Sequence, residues 1–183
     1  IRPDGRIMVF YSPHSGTPFQ YATSKEPYTI DHWDIQTIPV NSVGIYGYTY
    51  PNPVYVEKEE TLYLFWRGGD FKPTFSTTKD FGKTWSKAQT LIKGSGRRPY
   101  VKYYGDGQGR IHILFNDDHP RRNPDNSVFY MYYEEGCFYK ADGSYIASCS
   151  DLPINPSEAD CIFDAKEEGV RTWVWDVASS TQG

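Results

Sequence analysis

A chain of 183 residues is long enough to bury a core as one domain, and its net charge of −4, with no long basic run, excludes the clustered basic footprint of a nucleic-acid-binding protein. The 16 Tyr, 10 Phe and 5 Trp, punctuated by 16 Gly and 13 Pro, point to an all-β fold, since aromatic side chains suit half-buried pleated surfaces that Gly and Pro terminate. No apolar stretch approaches the roughly 20 residues that span a bilayer, so no membrane contact is expected.

In chain order the first predicted strand is the apolar run Arg6-Ile-Met-Val-Phe-Tyr11, followed by strands over residues 19–23 and 35–40. A Pro-flanked strand over 53–56 precedes a second apolar run, Thr61-Leu-Tyr-Leu-Phe-Trp66, and strands over 75–78 and 88–92 follow it. The order then recurs: a strand over 99–103, the run Arg110-Ile-His-Ile-Leu-Phe115, and strands over 128–133 and 138–146. The stretch 170–177 reads as the inner strand of another unit. The three apolar runs start 55 (61 − 6) and 49 (110 − 61) residues apart, and each is apolar on both faces, as a strand stacked between two sheets must be.

Four strands in each unit of about fifty residues is the signature of β-propeller blades, here 1–42, 43–94, 95–147 and an incomplete 148–183. A jelly roll or sandwich is the alternative for so many short strands. Closed propellers typically have about 4–8 blades, so the remainder of the ring is expected in a longer chain. The chain starts at Ile1 without a signal peptide, which fits processing or a fragment, and a secreted or periplasmic location is expected. Cys137, Cys149 and Cys161 are 12 apart (149 − 137, 161 − 149) and match no zinc pattern, so free or buried thiols, no metal and no cofactor are expected.

Thr78-Lys-Asp80-Phe-Gly82-Lys-Thr84-Trp85 resembles the Asp box of sialidases and their relatives. Its chemistry is structural: Asp80 accepts turn amides, Gly82 takes positive φ and Trp85 packs between sheets. Trp33, 52 residues before Trp85 (85 − 33), looks like a decayed copy. The resemblance implies that this motif lies on the turn between a blade's third and fourth strands, away from the active site. His14, Arg67 and the segment Asp117-Asp-His119-Pro-Arg121, which end second strands, should then meet Tyr50, Asn52 and Arg98, which start inner strands, on the other face.

Thr49-Tyr50-Pro51 followed by Tyr63-Leu-Phe-Trp-Arg67, 17 residues from Tyr to Arg (67 − 50), is similar to BNR-repeat propellers of the ulvan-lyase type, and the resemblance covers residues 1–146. It implies β-elimination on a uronic-acid polysaccharide or oligosaccharide, with Tyr50 and Arg67 in the catalytic and carboxylate-neutralising positions and His14 at a matching histidine. The family's further His-Asn pair falls before Ile1. Asn52, Arg98, His119 and Arg121 are the candidate substrate-binding residues.

The residue types suit that chemistry. Arg67 can hold a carboxylate through a bidentate pair as charge builds on it. A nearby Arg favours the phenolate of Tyr50, as base or as acid towards the leaving oxygen, and His14 can take the other role near neutral pH. Each has a bland alternative: one tyrosine among 16, a strand-capping Arg67 paired with Asp70, a turn histidine at His14. His112 and His32 read as structural, and Arg121 with Arg122 as a solvated loop or a basic lip for an acidic glycan. A glycoside hydrolase needs paired carboxylates, for which Asp117 and Asp118 are the candidates; a glycan-binding propeller without activity is the third reading.

Overall fold

The computed structural model describes residues 1–14, 20–38, 47–93 and 98–178. Gly16, Phe19, Val40 and the unit boundaries expected at 42–43 and 94–95 lie outside the described residues. The chain is all-β. A first sheet holds β1 (Met8–Tyr11), β2 (Gln20–Ser24) and β3 (Trp33–Thr37) in that order. The second holds β4 (Thr49–Val56), β5 (Thr61–Arg67), β6 (Pro73–Thr78) and β7 (Gln89–Thr90), again in chain order.

In the third sheet β8 (Val101–Gly105), β9 (Arg110–Asn116), β10 (Val128–Glu134), β11 (Cys137–Tyr139) and β12 (Tyr145–Ser148) run side by side, and β13 (Asp160–Phe163) pairs with the other half of β10. The pairings within the three sheets are antiparallel. A short α-helix, α1 (Ala165–Glu168), starts at Asp164, whose carboxylate accepts from the amides of Lys166 and Glu167.

β5 shows why the sheets stack. Its first six residues, Thr61 to Trp66, are all buried. Leu64 and Trp66 face the first sheet, meeting Tyr21, Tyr48, Ile38, Met8, Phe10 and Trp85. Tyr63 and Phe65 face the third sheet and its Ile111, Ile113, Phe115, Met131 and Tyr133. Each fully buried side chain such as Leu64 or Phe65 stabilises this layering by about 1.5–3 kcal/mol. Glu59, in the β4–β5 turn, adds a polar clasp between the second and third sheets: the Tyr63 hydroxyl donates to Glu59 Oε2 at 2.6 Å and the Tyr133 hydroxyl to Oε1 at 2.9 Å.

Two expected strands differ. Residues 138–146 form a hairpin, β11 and β12, because Lys140 to Ser144 close a turn in which Gly143 takes φ +86° and Lys140 N–H donates to Ser144 O at 2.9 Å. With β13, this gives the third sheet six strands instead of four. Residues 170–177 form no strand. They are held by side chains instead: Val174 N–H donates to Asn116 Oδ1 at 2.7 Å, and Asn126 Nδ2 donates to Thr172 O at 2.9 Å. Asn116 and Asn126 are themselves fully buried, and each amide finds hydrogen-bond partners both in this segment and in the loop between β9 and β10.

His112 stacks on Tyr130 and shares a 2.7 Å hydrogen bond with its hydroxyl, a packed histidine as expected. Cys137, Cys149 and Cys161 are free thiols, and burial pushes Cys149 up to about 11.

Candidate functional site

The antiparallel register gives the second sheet two distinct ends. One carries the start of β4, the end of β5 and the β5–β6 loop; the other carries the β4–β5 turn and the residues between β6 and β7.

At the first end the β4–β5 ladder contains a bulge. Thr49 pairs with Arg67 and Asn52 with Phe65, so Tyr50 and Pro51 together oppose Trp66. Pro51 has no N–H to lose from the ladder, and Tyr50 takes φ +59°. The bulge turns the Tyr50 ring out of the sheet, leaving it 45% exposed, and Asn52 Nδ2 braces it by donating to Tyr50 O at 2.7 Å. From the first sheet, the segment after β1 is tied in by Ser12 Oγ, which donates to Tyr48 O at 2.8 Å. That brings His14 to the same place.

His14 Nε2 lies 3.2 Å from the Tyr50 hydroxyl, and the two rings meet edge-on with centroids 5.7 Å apart. The Arg67 guanidinium is 3.5 Å from His14 Nε2, and its Cζ sits 4.8 Å from the Tyr50 ring centre. Three side chains from two sheets and two different strand ends thus converge on one point.

The β5–β6 loop supplies a platform. Phe71, at φ +60° after Asp70 at φ +53°, is fixed by its N–H donating to Gly68 O at 3.1 Å. Arg98 Cζ lies 3.6 Å and Arg67 Cζ 5.3 Å from the Phe71 ring centre, so one ring carries two guanidiniums. Lys72 next to it is pushed below the usual lysine range by burial, with Arg98 adding to the shift and Asp70 and Asp118 opposing it.

Tyr100 follows Pro99 at the approach to β8, with its ring centre 6.2 Å from Tyr50 and 5.4 Å from each of His119 and Trp173. Its phenol is pushed above the usual tyrosine range, first by burial and then by Tyr50, while Arg67 acts against the shift. His119 is pushed down by burial and by the charges of Arg122, Arg121 and Arg98. Its Nδ1 accepts from Arg121 N–H at 3.0 Å, so the neutral ring carries its proton on Nε2.

These groups border a cavity of about 690 Å³. Tyr50, Asn52, Arg67, Tyr100, Trp173 and Trp175 are among its walls, whereas His14, Arg98, His119 and Arg121 stand outside the lining. His14, Tyr50, Asn52 and Arg67 therefore cluster as expected, Arg98 joins through Phe71, and His119 joins through Tyr100. Arg121 is placed by its backbone alone, its side chain being exposed. Sequence reasoning passed over Phe71, Tyr100 and Trp173. Tyr100 carried a signal: it stands 50 residues after Tyr50 (100 − 50), one repeat on.

The other end of the sheet is chemically closed. Thr78 Oγ1 donates to Asp80 Oδ1 at 2.8 Å, and Thr84 donates to Asp80 through its N–H at 2.9 Å and its hydroxyl at 2.7 Å. These donors hold the Asp80 carboxyl down to about 2, those of Thr84 first. Gly82, at φ +98°, donates its N–H to Thr78 Oγ1 at 2.9 Å, and Trp85 packs edge-on against Phe10 of the first sheet. Trp33 opens β3 after the β2–β3 turn, the corresponding place in the first sheet.

The family described as BNR repeat-containing family member matches residues 1–183. No curated protein matches the chain. Among solved structures the chain is similar to a PL25 ulvan lyase bound to -[GlcA(1-4)Rha3S]-, at 18% identity and TM-score 0.64, covering 86% of this chain and 42% of that one. A second PL25 ulvan lyase structure is 20% identical with the same TM-score of 0.64. The catalytic domain of Coprinopsis cinerea GH62 α-L-arabinofuranosidase matches at 15% identity and TM-score 0.51, over 90% of this chain and 49% of its own. At these identities the likeness is one of fold, that of propeller sheets, and the chain spans less than half the length of each.

Proposed function

The chain belongs to the BNR repeat-containing family, and from that premise we propose that it is part of a carbohydrate-active enzyme that cleaves a uronic-acid-containing glycan by β-elimination. The observation that carries this reading is the meeting of His14, Tyr50 and Arg67, with 3.2 Å from His14 Nε2 to the Tyr50 hydroxyl and 3.5 Å from His14 Nε2 to Arg67.

In this mechanism Arg67 pairs with the uronate carboxylate and stabilises the charge that builds on it. The Tyr50 oxygen removes the proton from the carbon beside that carboxylate, with the Arg67 guanidinium 4.8 Å from the centre of its ring. The electron pair forms a carbon–carbon double bond, the bond to the leaving glycosidic oxygen breaks, and His14 gives that oxygen a proton. No water is consumed. The cavity's aromatic walls suit the apolar faces of sugar rings, and its cationic rim suits an acidic chain. A glycan of this kind fits a secreted or periplasmic setting.

A hydrolytic mechanism has less support. Asp176 is the one carboxylate in the cavity lining among the described residues, and Asp118 Oδ1 already accepts from the backbone N–H groups of Arg98 and His119, at 2.8 and 2.6 Å. Incubation with uronate glycans tests the reading. Elimination leaves a conjugated double bond with ultraviolet absorbance; reducing ends without that absorbance mean hydrolysis, and binding without either product means a lectin.

A further inference from the structure

We propose that Tyr100 is a positioning residue for Tyr50: its hydroxyl donates to the Tyr50 oxygen once that oxygen is ionised and holds it in line for the proton transfer. This rests on the elimination reading above.

The geometry gives Tyr50 two neighbours of opposite function. On one side stands His14 Nε2, 3.2 Å from the hydroxyl. On the other stands the Tyr100 ring, 6.2 Å away centre to centre and tilted by 41°, with the two phenols interacting through their side chains. Arg67 serves both rings, its Cζ 4.8 Å from that of Tyr50 and 6.0 Å from that of Tyr100.

The two tyrosines differ in exposure and in how their rings are held. Tyr50 sits on a bulge and is 45% exposed. Tyr100 is wedged edge-on between His119 and Trp173. Burial and the nearby Tyr50 both push the Tyr100 phenol upwards. Two adjacent phenols do not ionise together readily, so when Tyr50 gives up its proton Tyr100 keeps its own and becomes a charge-assisted donor. The enclosed ring thereby orients the exposed one.

The test is Tyr100→Phe, which keeps the ring contacts and removes only the oxygen. Elimination is followed by ultraviolet absorbance across pH. The expected result is a kcat lower by about 10- to 100-fold, the scale of one lost hydrogen bond to a charged group. KM should hold, and the rising limb of the pH–rate profile should move to higher pH. A partly unfolded preparation lowers kcat equally at every pH and leaves the limb in place, so the limb reads the proposed role independently of folding. An unmoved limb, or a raised KM with kcat intact, overturns the proposal and makes Tyr100 a plain wall of the cavity. Absence of absorbance with the unmodified protein overturns the elimination reading itself, and this proposal with it.

Discussion

At one end of the second sheet the chain passes from β6 to β7 through a turn whose polar groups satisfy one another. Asp80 takes three hydrogen bonds from Thr78 and Thr84, and Thr78 Oγ1 takes one from Gly82. At the other end Tyr50, Asp70 and Phe71 all hold positive φ, a cost of order 1–3 kcal/mol each for such residues, and their surroundings direct rings and cations at a shared space. In the first arrangement the turn's side chains bond to one another, and the Tyr21 hydroxyl of the first sheet donates to Gly82 O at 3.0 Å. The second leaves Tyr50 and Arg67 facing a cavity, with His14 against both. The two ends thus differ in what their side chains face, and substitutions at the two should separate activity from stability.

The largest effect is expected at Tyr50. Tyr50→Phe should abolish turnover while calorimetry shows glycan binding near normal, because only the proton-transferring oxygen is lost. Arg67→Ala should lower turnover by about 10²–10³, the scale of one lost charge-stabilising donor, with the thermal midpoint little changed. A fall in midpoint with turnover intact would make Arg67 a structural cap. Phe71→Ala removes the ring beneath two guanidiniums and should raise KM several-fold, since a cation–π contact at an exposed site contributes about 0.5–1 kcal/mol.

The smallest effect on activity is expected at the opposite end. Asp80→Asn should lower the thermal midpoint at neutral pH and leave turnover untouched. Its folded carboxyl is depressed to about 2, so its stabilising contribution is complete above the ordinary Asp range near 3.9 and fades as pH falls towards 2. The midpoint difference between the unmodified protein and the variant should therefore be flat above about pH 5 and close below pH 4. A difference that persists at pH 2 would assign the effect to shape rather than charge.

Much of the fold was legible because it depends on period and burial. Thr61 to Trp66 reads as apolar on both faces, and β5 is buried between two sheets. The repeat register likewise brought Tyr50 and Arg67 to one end. What was not legible depends on single backbone angles and on neighbours. The hairpin of β11 and β12 turns on Gly143, inside a run otherwise rich in strand formers. Residues 170–177 are rich in the Val and Trp that suit a strand, yet they are held by two asparagine side chains. Phe71 enters the site through positive φ at two non-glycine residues, which residue type alone does not signal.

The asparagine clasp carries a consequence for how this site can change. A strand's side chains are coupled to its partner with period two, and a one-residue slip sends each of them to the opposite face. The segment through Thr172 and Val174 is pinned at points, by Asn116 and Asn126, and has no ladder to slip. Residues can be inserted or deleted on either side of the pins without turning Trp173 away from Tyr100 and the cavity. This wall is therefore the part of the site that tolerates changes of length, and a place where the shape of the cavity can be retuned while the sheets beneath keep their register.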